Sequence, residues 1–312
     1  MRNSAWRRFK RQRVLQVFVL LGIAYFAVFS IAPMFGILMA FKDYKITMGV
    51  NGIFSSDWVG FRWFIEFFNE FRFSKLVRNT IILSLLKLVM AFPMPILFAL
   101  ILNELRVMKF KRFVQTISYL PHFISWIIVA GLLKTFFSES SGVINQLFKA
   151  LGWIDKPILF LADPNYFYGI AVGSSIWKET GWWAIIFLAA IIGVDPQLYE
   201  AAEIDGASRL KRIWHITLPS IKSTIVVVLI LALGSLLGGG LSGDNFEQSY
   251  LLGNAANSDT SEIIQTYVFR VGLANARYAY ATAVGLIQSV ISLLLVLGSN
   301  FTAKKVSGYG IF

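Results

Sequence analysis

The chain has 312 residues, 56% of them hydrophobic and 15% charged, well short of the roughly 25% charged residues of a soluble domain. Its net charge of +12 does not point to nucleic acid, because the lysines and arginines stand in short stretches between long apolar runs, as membrane topology requires. With no cysteine and two histidines, His122 and His215, a disulfide framework, a zinc–thiolate centre, a cysteine nucleophile and a histidine-rich metal site are excluded.

The first predicted element is the uncharged run Val14 to Phe41, behind the basic start Arg7-Arg8-Phe9-Lys10-Arg11-Gln12-Arg13. It is longer than the roughly 7–15 apolar residues of a signal peptide, and no Ala-x-Ala cleavage site follows. It reads as an uncleaved transmembrane helix with a cytoplasmic N-terminus. Five further runs follow at about Val77–Leu102, Phe113–Phe137, Tyr166–Val194, Ile216–Leu241 and Tyr280–Phe301. Each has the roughly 20 residues that cross about 30 Å of hydrocarbon at about 1.5 Å per residue. Six spans leave both termini on the cytoplasmic side. Arg106, Lys109, Lys111, Arg112, Arg209, Lys211, Arg212, Lys304 and Lys305 then fall inside, and the outer loops 138–165 and 242–279 are poor in cations, as positive-inside orientation demands. The longer outer loop 42–76 carries five cations, partly balanced by Asp43, Asp57, Glu66 and Glu70.

Pro93, Pro95 and Pro121 are expected to kink the second and third spans. Trp58, Trp63, Trp153, Trp182 and Trp183 stand near predicted interfaces, where an aromatic belt accounts for them. Lys87 is the deepest intramembrane cation and is expected to line a pathway or to pair across a subunit interface. In the fourth span Trp177, Lys178, Glu179, Trp182 and Trp183 cluster, and Glu179 shares a helix face with Trp182 and Trp183. A carboxylate beside aromatic rings suits a sugar, whose C–H faces stack on rings and whose hydroxyls donate to the acid. Interfacial anchoring with a local ion pair is the competing account. His122 reads as packing beside Pro121, and His215 as interfacial.

The segment after the fourth span reads Asp195-Pro196-Gln197-Leu198-Tyr199-Glu200-Ala201-Ala202-Glu203-Ile204-Asp205-Gly206-Ala207-Ser208. Pro196 suits a first helical turn and Gly206 a position just past the last one. A short polar helix follows, with a small face (Ala201, Ala202, Gly206, Ala207) that admits a close partner and carboxylates (Glu200, Glu203, Asp205) that offer it charge. An ordinary capped surface helix would satisfy the same pattern.

Here the string Glu200-Ala201-Ala202, then Asp205-Gly206-Ala207, then Ile216, Leu218 and Pro219, resembles the EAA loop of binding-protein-dependent ABC permeases. Leu120-Pro121-His122-Phe123, Ile176-Trp177-Lys178-Glu179-Thr180-Gly181 and Tyr278-Ala279-Tyr280-Ala281-Thr282 resemble the carbohydrate branch, of the LplB type and related to the maltose permease subunits. The resemblance implies an all-α, six-span type I importer fold, with an N-terminal segment 1–75, a permease domain 76–298 and a C-terminal tail 299–312. It implies a multi-pass protein of the bacterial cytoplasmic membrane with a homologous permease partner, two cytoplasmic ATPase subunits and an extracellular solute-binding protein. It also implies that Glu200 to Ala207 couple this chain to an ATPase, and that the region Asp244 to Tyr250, with Asn245 and Gln248, faces the translocation path. The competing account of that region is a solvated loop. No G-x-x-x-x-G-K-[ST] loop occurs, so ATP and Mg are expected on the partner, with no cofactor on this chain and no enzymatic activity of its own.

Overall fold

The computed structural model describes residues 12–311, so Arg7, Arg8, Lys10 and Arg11 of the basic start lie outside the described residues. Among the described residues the chain is helical, without a β-strand. Four helical stretches are long and apolar enough to cross a membrane: α1 (Val14–Phe41), α2 (Phe73–Asn103), α5 (Pro164–Ile192) and α10 (Tyr278–Ser307). Two bent pairs join them: α3 (Met108–Phe123) with α4 (Trp126–Phe136), bent by 99°, and α7 (Arg209–Ser220) with α8 (Lys222–Gly234), bent by 63°. The short helices α6 (Pro196–Ile204) and α9 (Asn245–Leu252) follow α5 and α8.

The bend in the third span is sharper than the kink expected there, and the 63° bend in the fifth was not expected. Pro121 withholds an N–H inside a tight turn, Ile124 is extended, and the Ser125 hydroxyl caps α4 by accepting from the Ile128 amide at 3.5 Å. The chain therefore restarts a helix there and does not continue one. In α2 the strain of Pro93 is absorbed differently. One π turn, Lys87–Ala91, stands before it, with the Phe92 amide donating to the Lys87 carbonyl five residues back at 3.0 Å.

Two compact units can be described separately. In the first, formed by residues up to Glu70 with Val268–Ile287, Trp63, Phe67 and Tyr280 are buried. Arg277 donates to Glu66 at 2.7 Å, and its guanidinium lies 5.5 Å from the Trp63 ring centre and 4.6 Å from that of Tyr280. Trp63 also donates to the Lys42 carbonyl at 2.9 Å, so it is a packed residue and not the belt residue expected, whereas Trp58 and Trp153 are exposed. The apolar side chains of α1 are exposed almost throughout.

The second unit comprises Phe71–Tyr267 with the chain from Gln288 onward. Its larger core cluster joins the end of α2 (Ala99, Leu100, Leu102) to the C-terminal half of α5 (Ala184, Phe187, Leu188, Ile191), with Ile221 and Val228. A second cluster holds Leu83, Ala130, Phe167, Ala171 and Ile263. Gly181 lets α3 cross α5 closely, since a Cβ there would lie 2.1 Å from the Ser118 carbonyl oxygen. Gly234 does the same for α8 against Val296 of α10.

Candidate functional site

Helix α6 is built by local chemistry. Asp195 accepts from the Gln197 amide at 3.0 Å, and Pro196 occupies the first turn, where its missing N–H costs nothing. At the other end Gly206 takes φ +71°, the Gly206 amide donates to Glu203 O at 3.1 Å, and the Ala207 amide donates to Ala202 O at 2.8 Å. That pair of bonds is a Schellman cap, which needs a left-handed residue where glycine stands. Glu200, Ala201, Glu203, Asp205 and Gly206 are exposed, and Ala202 and Ala207 half-buried. Two side-chain contacts hold the helix to its own chain: Tyr199 Oη with Thr217 Oγ1 at 2.9 Å, and Arg212 donating to Glu203 at 3.2 Å. Leu198 and Ile204 are also exposed, Ile204 by 87%. The sequence reading passed over them, although apolar residues in a polar helix outside every span were the available signal.

Within the spans, the close crossing at Gly181 brings His122 onto Glu179. His122 Nδ1 and Glu179 Oε2 are 2.7 Å apart, Lys178 donates to Glu179 Oε1 at 2.9 Å, and Lys178 also donates to the His122 carbonyl at 2.7 Å. The His122 ring stacks on Trp182 with centroids 4.3 Å apart and planes 1° from parallel. His122 is thus a partner of the acid, beyond the packing role read from its proline neighbour. Trp177 turns elsewhere. It lines an apolar cavity of about 550 Å³ with Phe136, Phe160, Tyr166, Gly169 and Gly173.

The third group corrects two expectations. Lys87 pairs inside this chain with Asp244, both fully buried, and not across an interface. Residues Asp244 to Tyr250 are not a solvated loop, since Asn245 to Leu252 form α9 with a buried polar side. Asp244 also accepts from Ser175 at 2.8 Å, Asn245 donates to Ser84 at 3.0 Å, and Gln248 donates to the Ala171 carbonyl at 2.7 Å. Gly239 and Gly240 allow the return turn, at φ +112° and +67°. A small cavity lies between this group and the His122–Glu179 group, lined by Lys87, Ser175, Glu179, Thr180, Trp183 and Ser242. Thr180 Oγ1 and Trp183 Nε1 are shielded from solvent and have no hydrogen-bond partner among the described residues.

At the opposite end of α5 from α6, Lys75 donates to Asp259 at 2.7 Å and holds its carboxyl below the ordinary value of 3.8. Asn79 donates to the Asp259 and Glu262 carbonyls, both at 2.9 Å, and Thr260 to the Pro164 carbonyl at 2.8 Å.

A helical protein with several helices long and apolar enough to cross a membrane, and with buried ion pairs, is a multi-pass membrane protein. Residues 67–308 match the family of binding-protein-dependent transport system inner membrane components, and the chain belongs to that family. It is 46% identical to protein LplB of Bacillus subtilis over 303 residues, covering 97% of this chain and 92% of that protein. It is likewise 46% identical to the B. subtilis polygalacturonan/rhamnogalacturonan transport system permease protein YteP over 302 residues, covering 97% and 91%. Among solved structures it is similar to a bacterial ABC transporter involved in the import of the acidic polysaccharide alginate. The TM-score is 0.88 and the identity 40%, over 97% of this chain and 99% of that one. It is equally similar, at a TM-score of 0.88 and 40% identity over 98% of this chain and 99% of that one, to a bacterial alginate ABC transporter solved in complex with an alginate pentasaccharide-bound periplasmic protein.

Proposed function

We propose that this chain is a permease subunit of an ATP-driven importer that takes an oligosaccharide from a solute-binding protein. The observation that carries the reading is end-to-end likeness to a polysaccharide importer chain, with α6 largely exposed. In this reading each bent pair is one span, giving six with α1, α2, α5 and α10, and both termini are cytoplasmic. Segment 1–75, a permease domain 76–298 and a tail 299–312 form the domain plan. Helix α6 is the coupling helix. Glu200, Ala201, Ala202, Glu203, Asp205, Gly206 and Ala207 seat in a partner ATPase, which holds ATP and Mg, while this chain holds no cofactor.

The arrangement of α6 supports that role. Its two caps keep the helix formed with few contacts to the rest of the chain, and its small residues admit a close surface. When two ATPase subunits close on ATP, a rigid helix transmits their displacement to α5 and α7, to which it is directly joined. The working unit contains this chain, a homologous permease and two ATPases, with an extracellular binding protein delivering the sugar. Trp177, Glu179, Trp182, Trp183, Asn245 and Gln248 belong to the path. Glu179 and Trp182 offer an acceptor and a ring to the sugar, while Asn245 and Gln248 hold the wall behind them.

The test is co-purification in mild detergent. Wild type retains an ATPase subunit, and a folded Glu200→Lys/Gly206→Asp variant loses it. If wild type retains none, or transport in vesicles proceeds without ATP, the reading fails in favour of a channel or secondary transporter.

A further inference from the structure

The basic start of the first bent pair has no counterpart within the chain. Arg106, Lys109 and Arg112 are exposed and Lys111 is half-buried. None of the four makes a salt bridge among the described residues, although Arg212 at the start of the other bent pair binds Glu203. At about 100° per residue, α3 divides into three stripes. Val114 and Ser118 face the core, where Val114 packs on the larger cluster and Ser118 meets Gly181. Phe110, Phe113 and Ile117 form a second stripe, each at least half exposed. Lys109 and Arg112 form the third, beside the second. A row of cations next to a row of exposed rings, at the mouth of a membrane span, matches both ends of one molecule.

We infer that the α3 stripe of Lys109 and Arg112, with Arg106 just before the helix, and the neighbouring Phe110/Phe113/Ile117 stripe form a binding site for an anionic phospholipid. The cations take the headgroup phosphate, with arginine able to do so through two parallel donors. An acyl chain lies along the rings, which continue for about 10 Å into the hydrocarbon, from Phe110 to Ile117. Charge selects the lipid over the ATPase as occupant. The segment read as meeting the ATPase, α6, carries exposed carboxylates, and the unpaired cations stand on a separate helix. Arg209 and Lys211 stand at the same end of this unit, since Leu105, Val114, Ile213 and Leu218 all pack on one core. The inference goes beyond the transport reading, on which it rests only in assigning the ATPase contact to α6.

The purified chain, with its accompanying subunits, would be placed in nanodiscs of mixed phosphatidylcholine and phosphatidylglycerol and then extracted into detergent. Lipids retained by native mass spectrometry are counted. Wild type is expected to keep phosphatidylglycerol over phosphatidylcholine by about tenfold, as a few cations near an anionic surface supply. Arg106→Gln/Lys109→Gln/Arg112→Gln abolishes the preference at unchanged thermal midpoint, and Phe110→Ser/Phe113→Ser weakens retention of both lipids. Equal retention by wild type, or a preserved preference in the triple variant, overturns the inference. So does displacement of the lipid by inorganic phosphate, which would mark a simple anion site. Loss of an ATPase subunit from the triple variant with lipid retention unchanged assigns the cations to that protein instead.

Discussion

Removing one partner of the Lys87–Asp244 pair leaves a charge buried without its neutralising neighbour. Lys87→Met or Asp244→Asn alone is expected to cost about 3–5 kcal/mol, read as a fall in the thermal midpoint of detergent-solubilised protein. The double variant Lys87→Met/Asp244→Asn is expected to lose less than the sum, because neither charge is then stranded. Additive losses would show that the two side chains act independently, contrary to their contact. Glu179 is held by both Lys178 and His122, so Glu179→Gln keeps the shape and removes the charge that orders those two partners. Transport is expected to fall more than stability. At the other end of α5 the sign of the pH effect is fixed by Lys75. A carboxyl held below its ordinary value contributes stability above that value and loses it as pH falls further, through the folded-state value. The gap in thermal midpoint between wild type and Asp259→Asn is therefore expected to be present at neutral pH. It closes below about pH 4 and shrinks with salt, because the pair is exposed.

At the scale of elements, glycine decides two features. A Cβ at position 181 would lie 2.1 Å from a backbone oxygen, which cannot rotate away as a flexible side chain could. Gly181→Val is expected to push α3 from α5 and separate His122 from Glu179, at a cost of about 1–3 kcal/mol and with transport lost. Gly206 meets no neighbour, so Gly206→Ala acts through backbone strain alone, about 1 kcal/mol confined to the end of α6. Faster hydrogen exchange at the Gly206 and Ala207 amides would register it without a change in global stability. The capped helix and its turn residues were legible in the sequence, because caps are local chemistry. The 99° break after Pro121 was legible only as a kink, since whether a proline bends or interrupts a helix depends on what the next residues can cap.

For the whole molecule, the coupling role proposed for α6 requires sensitivity at residues that contribute nothing to folding. Leu198→Asp and Ile204→Asp are expected to leave the thermal midpoint within about 0.5 kcal/mol of wild type, as surface substitutions do. In the reconstituted assembly they uncouple ATP hydrolysis from uptake. Unchanged coupling in both would move the partner contact away from the apolar side of α6.

Composition and spacing by themselves determined that the chain lives in a membrane, where its apolar runs fall and where α6 begins and ends. Each of those depends on contiguous residues: hydrocarbon thickness sets run length, and a cap needs only its own turn. Tertiary structure decided how the charged groups are neutralised. Lys87 and Asp244 are 157 residues apart, and His122 and Glu179 are 57 apart, with no periodicity linking either pair. A polar residue in an apolar run announces that a partner must exist, because a lone buried charge is too costly. Which residue answers it is set by helix crossings such as Gly181 on Ser118, and these are properties of packed surfaces and not of adjacent letters.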